Sequence, residues 1–370
     1  MLLFKWFLCA ALLSEIAMSP WLWVASRRFP TVPVLPFVPD LPQVPTVVLS
    51  CLLVLSIFLV AFSPRPRPFI YAFLVLGTAL VVFDIDRLQP WFYQYLLAFL
   101  ALSLMDWSEP ESPRSKAAWA ASCLIPACIY FWSGLQKTNF IFATVIFPWL
   151  LHPLGLDHLS GLWFLAPAFE TSVGLLLIYP RTRTWGLFGA AGMHGFILLV
   201  LGPLKMNYNS IVWPWSFWMV AMEVVLFWRT SEPLFRLAWP VGLSRAVAVA
   251  IGILPVLNYA DLWDGFLSAS FYSGRLRDGW LYLSPRGAAE MPKAFQGTLV
   301  RETDEYFRLD ITQWAIIEMN VPPYTQERVY LDIVAKLERE GVERDQMNLF
   351  VRDRQAPWSR SNTFSQIPIP

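Results

Sequence analysis

Residues 117–138 read Ala-Ala-Trp-Ala-Ala-Ser-Cys-Leu-Ile-Pro-Ala-Cys-Ile-Tyr-Phe-Trp-Ser-Gly-Leu-Gln-Lys-Thr. The run carries a single charge, Lys137, close to its end. A helix needs about 20 apolar residues to cross the hydrocarbon core of a bilayer, and this stretch supplies them. Comparable apolar windows recur at about 2–24, 46–63, 68–85, 90–106, 161–180, 183–203, 211–229 and 243–264. The spacing predicts an all-α polytopic membrane protein with nine transmembrane helices, or eight if a short window such as 68–85 is re-entrant. The segment 140–156 is apolar but broken by Pro148 and Pro153, so it is expected to lie in the interface or dip back into the protein. Prolines at every third position from Pro30 to Pro45 predict an extended loop with polyproline II geometry.

Composition supports this reading. The 370 residues are 56% hydrophobic and 15% charged, with mean hydropathy +0.48. Soluble domains run nearer 45–50% apolar and about 25% charged. Net charge of +1 gives no electrostatic pull toward nucleic acid. A secreted enzyme, a nucleic-acid binder and a disordered chain all fit poorly. The charges are unevenly spread, with 27 of the 55 in residues 275–370. A membrane domain over 1–270 is therefore followed by a small C-terminal soluble α+β domain over 271–370. Within it, Trp280 to Leu283 and Asn348 to Val351 read as strands. Asp310 is placed to cap a helix ending near Met319, and Thr325 to cap a second whose face is Val329, Ile333 and Leu337.

The stretch from Met1 to Val24 has Lys5 early and an apolar run, as a signal peptide does, but Glu15 interrupts it and no small-residue cleavage site follows. It is read as a retained membrane helix. Cys9, Cys51, Cys123 and Cys128 lie in apolar stretches and read as small buried hydrophobes. Lys and Arg favour the loops after the second, fourth, sixth and eighth windows (Arg65, Arg67, Arg114, Lys116, Arg181, Arg183, Arg229, Arg236) over the alternate loops (Arg27, Arg28, Arg87, Lys205). The positive-inside rule then puts the N-terminus in the cytoplasm of a plasma or inner membrane and, with nine spans, the C-terminal domain outside. Membrane lipid is the expected environment, and a protein or peptide partner is placed at the external tail.

A titratable group inside a spanning helix is costly unless paired or hydrated, so such groups are the places to look for chemistry. Lys137 shares a helix face with Tyr130 and with Ser133 or Gly134. It either snorkels to the interface or, buried and neutral, serves as a base. His194 is centred in an apolar window and either packs through a hydrogen bond or handles protons. Glu170 sits halfway along its window and is expected to pair with Lys137, His194 or an arginine, or to stay protonated. The cluster Lys205 to Ser210, with Asn207 and Asn209, leads into Trp213 and Trp215 and reads as an interfacial anchor or a substrate mouth. Asn139 and Tyr130 complete the candidate substrate contacts. His152 and His158 lack the spacing of metal ligands on a helix, and no metal is assigned.

The segment Tyr130 to Lys137, with its aromatic start and Gly-Leu-x-Lys end, resembles the lysine-bearing helix of the vitamin K-dependent γ-carboxylases and of the horizontally transferred transmembrane-domain (HTTM) proteins. The His194 helix ending Gly202-Pro203, and Glu170 to Leu177 followed by Pro180-Arg181-Thr182-Arg183, are similar to further motifs of that group. The resemblance covers about residues 90–230. It implies a membrane-embedded enzyme in which Lys137 deprotonates a quinone-type substrate such as vitamin K hydroquinone, or another lipid-soluble molecule, while His194 and Glu170 tune it. Gln136 stands where the carboxylases carry a second lysine. The alternative is a non-enzymatic transporter or a membrane scaffold subunit.

Overall fold

The computed structural model describes residues 1–228, 230, 233–239, 242–292, 297–352, 359–360 and 363–369. Arg229, counted above among the loop charges, lies outside them. The protein is mostly helical. In chain order the helices before residue 260 are α1 (Leu2–Met18), α2 (Gln43–Phe62), α3 (Arg67–Phe83), α4 (Pro90–Ser103), α5 (Pro113–Gln136), α6 (Phe147–Leu151), α7 (Leu165–Ile178), α8 (Arg183–Leu201), α9 (Val212–Phe227), α10 (Leu234–Ala238) and α11 (Gly242–Gly252). Each apolar window thus contains helix. Four segments are both long and apolar enough to cross a membrane: Gln43–Phe62, Pro113–Gln136, Arg183–Leu201 and Gly242–Ala260, the last being α11 continued by a 3-10 turn. The others are shorter apolar helices, and 140–156 forms a broken π, α and 3-10 succession.

Helix α5 is the axis of the bundle and touches α4, α7, α9, α10 and α11. Pro113 opens it, where a missing N–H costs nothing, and the Ser112 hydroxyl accepts from the Ser115 amide. Alanines at 117, 118, 120 and 121 favour helix and keep neighbours close. The helix runs through Pro126 without ending. Glu15, which interrupts the first apolar run, is fully buried and accepts a hydrogen bond from the Tyr95 hydroxyl at 2.6 Å.

The C-terminal part holds one antiparallel sheet of β1 (Gly279–Leu283), β2 (Leu299–Arg301), β3 (Phe307–Asp310), β4 (Met347–Arg352) and β5 (Phe364–Ile367), in the order β2-β3-β1-β4-β5. Leu281 pairs with Leu309 on one side and Leu349 on the other, so all three bury the same face. Helices α12 (Pro285–Glu290), α13 (Ile311–Met319) and α14 (Glu327–Arg339) complete it. Asp310 caps α13 by accepting from the Gln313 amide. The α14 cap position is Gln326 rather than Thr325, and it makes no side-chain cap bond. Strands β2, β3 and β5 are too short and mixed to have been read from pattern.

This C-terminal part rests on one end of the helical bundle. Asn320 bonds the Met18 carbonyl at the end of α1 and accepts from Ser210 between α8 and α9. Gln89, just before α4, donates to the Pro322 carbonyl, and Arg275 donates to Gln136 at the end of α5. Between α3 and α4, Asp84 and Asp86 both bind Arg27, at 2.9 and 3.1 Å, with Arg87 beside them, all four side chains buried. Asp86 also accepts from the Tyr324 amide at 2.8 Å, so this ionic knot ties the C-terminal part to the bundle. Burial, and then the neighbouring Asp84 carboxylate, push the Asp86 carboxyl up to about 7.

Candidate functional site

Glycines bring the candidate residues together. A Cβ on Gly134 would lie 2.8 Å from the Pro167 carbonyl oxygen and 2.5 Å from the Thr171 nitrogen. A Cβ on Gly174 would lie 2.6 Å from the Phe131 nitrogen. Helices α5 and α7 therefore touch backbone to backbone, the small-residue packing favoured where no hydrophobic force drives helices together. That contact carries Glu170 up to Lys137.

Lys137 Nζ donates to Glu170 Oε2 at 2.7 Å, to the Ser133 hydroxyl at 2.6 Å and to the Ser133 carbonyl at 3.3 Å. The three N–H groups of the ammonium are thus all placed. The pair is buried but keeps 10% and 11% of its side-chain surface accessible. Lys137 stands at the C-cap of α5, and its side chain turns to α7.

Two turns earlier on α5 lies a second polar group. The Tyr130 hydroxyl donates to Glu223 on α9 and stands 2.8 Å from His194 Nε2 on α8. With the hydroxyl proton committed to Glu223, Nε2 is assigned as the His194 donor, leaving Nδ1 a bare, buried lone pair. Glu223 is absent from the sequence-derived candidates. Its signal was available, since it is the one charged residue in α9.

An aromatic wall backs both groups. The Trp215 ring lies 5.9 Å from that of His194, Phe271 lies 5.4 Å from Trp215, and Lys137 Nζ stands 5.7 Å from the Phe271 ring. The wall separates them from a cavity of about 220 Å³ between the bundle end and the C-terminal part.

The other candidates are placed differently. Asn209 lines that cavity and donates to the Tyr272 hydroxyl at 2.9 Å. Asn139 is used structurally: it donates to the Gln136 and Ser273 carbonyls and accepts from the Phe142 amide. Trp213 donates to the Leu201 carbonyl, and Asn207 is an exposed turn residue with φ 48°. Neither joins the Lys137 group. His152 pairs with Asp157 at an exposed site, and among the described residues no three His, Cys, Asp or Glu side chains gather as metal ligands. Gln136, the departure from the carboxylase pattern, accepts from Arg275 at 2.9 Å.

The chain matches no protein-family model, no curated protein and no solved structure. The likeness to the HTTM proteins and carboxylases therefore rests on the residues quoted for it.

Proposed function

We propose that this is a polytopic membrane protein of the HTTM and γ-carboxylase kind, with a membrane-embedded site that takes a proton from a lipid-soluble, quinol-like substrate. The observation that carries the reading is the Lys137–Glu170 pair, buried between the end of α5 and α7, two turns along α5 from the Tyr130–His194–Glu223 chain. Passing one proton from Nζ to Oε2 leaves a neutral amine beside a carboxylic acid. A low-dielectric surrounding narrows the gap between this form and the ion pair, because both charges disappear together. The amine is then a base, and the carboxyl holds the proton it gave up. Through Nδ1, His194 offers a further acceptor within the same bundle. The pair keeps a little accessible side-chain surface and Phe169 beside Glu170 is 49% exposed, which supports entry of a substrate from the lipid-facing side of α7.

The topology that fits has nine spans, a cytoplasmic N-terminus and an external C-terminal domain in a plasma or inner membrane. Its support is that the loops contacting the C-terminal part are those after the first, third, fifth and seventh windows, the side poorer in free Lys and Arg. Arg27 and Arg87 on that side are tied up with Asp84 and Asp86.

The test is aerobic oxidation of a quinol by the purified protein in lipid nanodiscs, with dissolved dioxygen taking the two electrons from the quinolate that the base generates. Wild type is expected to consume a naphthoquinol faster than protein-free discs, with Lys137→Ala reduced to the blank while retaining its elution profile. Equal consumption by Lys137→Ala, or solute movement across liposomes with no quinol consumed, overturns the reading.

A further inference from the structure

The cavity on the far side of the aromatic wall has two unlike ends. The bundle supplies Trp91, Val212 and Trp215, and Phe271 completes an apolar side. The C-terminal part supplies Arg352 and Asp278, with Arg277 and Thr312 beside them. Of the charged groups lining this end two are guanidinium and one is a carboxylate, and Glu327 meets Arg277 from outside the lining. Part of the Arg352 fork is used, since Nη2 donates to the Leu276 carbonyl at 3.1 Å. Arg277 makes a long 3.4 Å contact to Glu327, whose side chain is 43% exposed. Asp278 meets the Thr312 hydroxyl at 3.4 Å. A concave, mostly apolar space with a few polar groups in its lining is the usual build of a small-ligand site.

We infer that this seam chamber binds an amphipathic monoanion, its apolar body against Trp91, Trp215 and Phe271 and its carboxylate-type head on Arg352 and Arg277. A neutral apolar ligand would leave the guanidinium end without the planar oxygen pair that its fork matches. A polyanion is disfavoured because the segment from Arg275 onward holds 13 basic against 14 acidic side chains. A volume of about 220 Å³ suits a short acyl chain or a one-ring to two-ring body; a cavity of ~150 Å³ holds benzene. The inference goes beyond the proposed proton chemistry and does not require it, since the aromatic wall stands between chamber and Lys137. It makes the C-terminal part half of a binding site rather than an appendage.

The test uses the full-length protein in lipid nanodiscs, with octanoate and the uncharged 1-octanol as probes and empty discs as the partition control. Octanoate is expected to bind saturably and about tenfold more tightly than octanol, the scale of one charge-assisted hydrogen bond. Arg352→Gln should bring octanoate down to the octanol level. Ile316→Trp, which grows a ring into the chamber from α13, should abolish binding of both. Lys137→Ala should bind octanoate like wild type, so a failed chamber and a failed proton site give different results. No saturable octanoate binding above empty discs, or equal affinity for the two probes in wild type, overturns the inference without reliance on any variant. Binding unaffected by Ile316→Trp does so as well.

Discussion

Glu170 Oε2 lies 2.7 Å from Lys137 Nζ, and the two helices bearing them meet through Gly134, which has no room for a methyl group on the α7 side. Ion pair and glycine contact depend on one another: the charges are matched only while the backbones touch. Lys137→Met or Glu170→Gln is expected to destabilise the protein by about 3 kcal/mol, the scale for a buried charge left without its partner. The double variant should lose less than the two singles added, because no uncompensated charge remains. Thermal unfolding of all four proteins in one detergent measures this, and strict additivity would refute the coupling.

Gly134→Ala should cost about 1–3 kcal/mol, the range for overpacking, since backbone atoms of Pro167 and Thr171 must move. Gly192→Ala on α8 is the control, as a methyl there meets open space, and it should be neutral or slightly stabilising. Equal melting temperatures for the two variants would show that the close approach carries no strain.

Tyr130→Phe removes the hydroxyl that joins His194 to Glu223. Both groups are almost fully buried, so each loses its partner with no water to replace it. The expected loss is about 2–3 kcal/mol, above the cost of removing one ordinary hydrogen bond. A further Glu223→Leu change should restore part of it. Denaturant unfolding in mixed micelles is the readout, and no recovery in the double variant would contradict the chain.

Asp86 sets a pH dependence. Its carboxyl is raised to about 7 in the folded protein, so between the ordinary carboxylate range and about 7 the folded state holds a proton that the unfolded state has released. Stability from this group is therefore present at the acid end of that window and declines as pH rises through it. Asp86→Asn keeps an oxygen acceptor for the Tyr324 amide and removes the titration. Its melting temperature should vary less with pH between about 5 and 7 than that of wild type. Parallel curves for the two proteins would eliminate Asp86 as the source.

Much of the architecture was legible because a long apolar run without breakers marks a helix before any packing is known. Every apolar window became helical, and the charge-rich tail became the sheet-bearing part. The readable tail elements were those with a local signal: Asp310 at its cap, and Val329, Ile333 and Leu337 at helical spacing. Strands β2, β3 and β5 are defined by their partners in the sheet, and a three-residue or four-residue strand has no periodicity of its own.

The candidate site divides in the same way. Cost alone marked Lys137, Glu170 and His194, because a titratable group in an apolar helix needs a reason to be there. Which group meets which is a matter of helix rotation and contact, and no local pattern encodes it. Only the packed bundle sends Lys137 to Glu170, and only it sets the Tyr130 hydroxyl between His194 and Glu223. Only it spends Asn139 on backbone carbonyls while leaving Asn209 beside a cavity. The sequence by itself determined that this chain is built of apolar helices carrying a few costly polar residues, since desolvation is a property of each residue and its neighbours in the chain. The tertiary structure decided the pairings, because a hydrogen bond falls off within a fraction of an ångström and its partners here stand 33 to 93 residues apart.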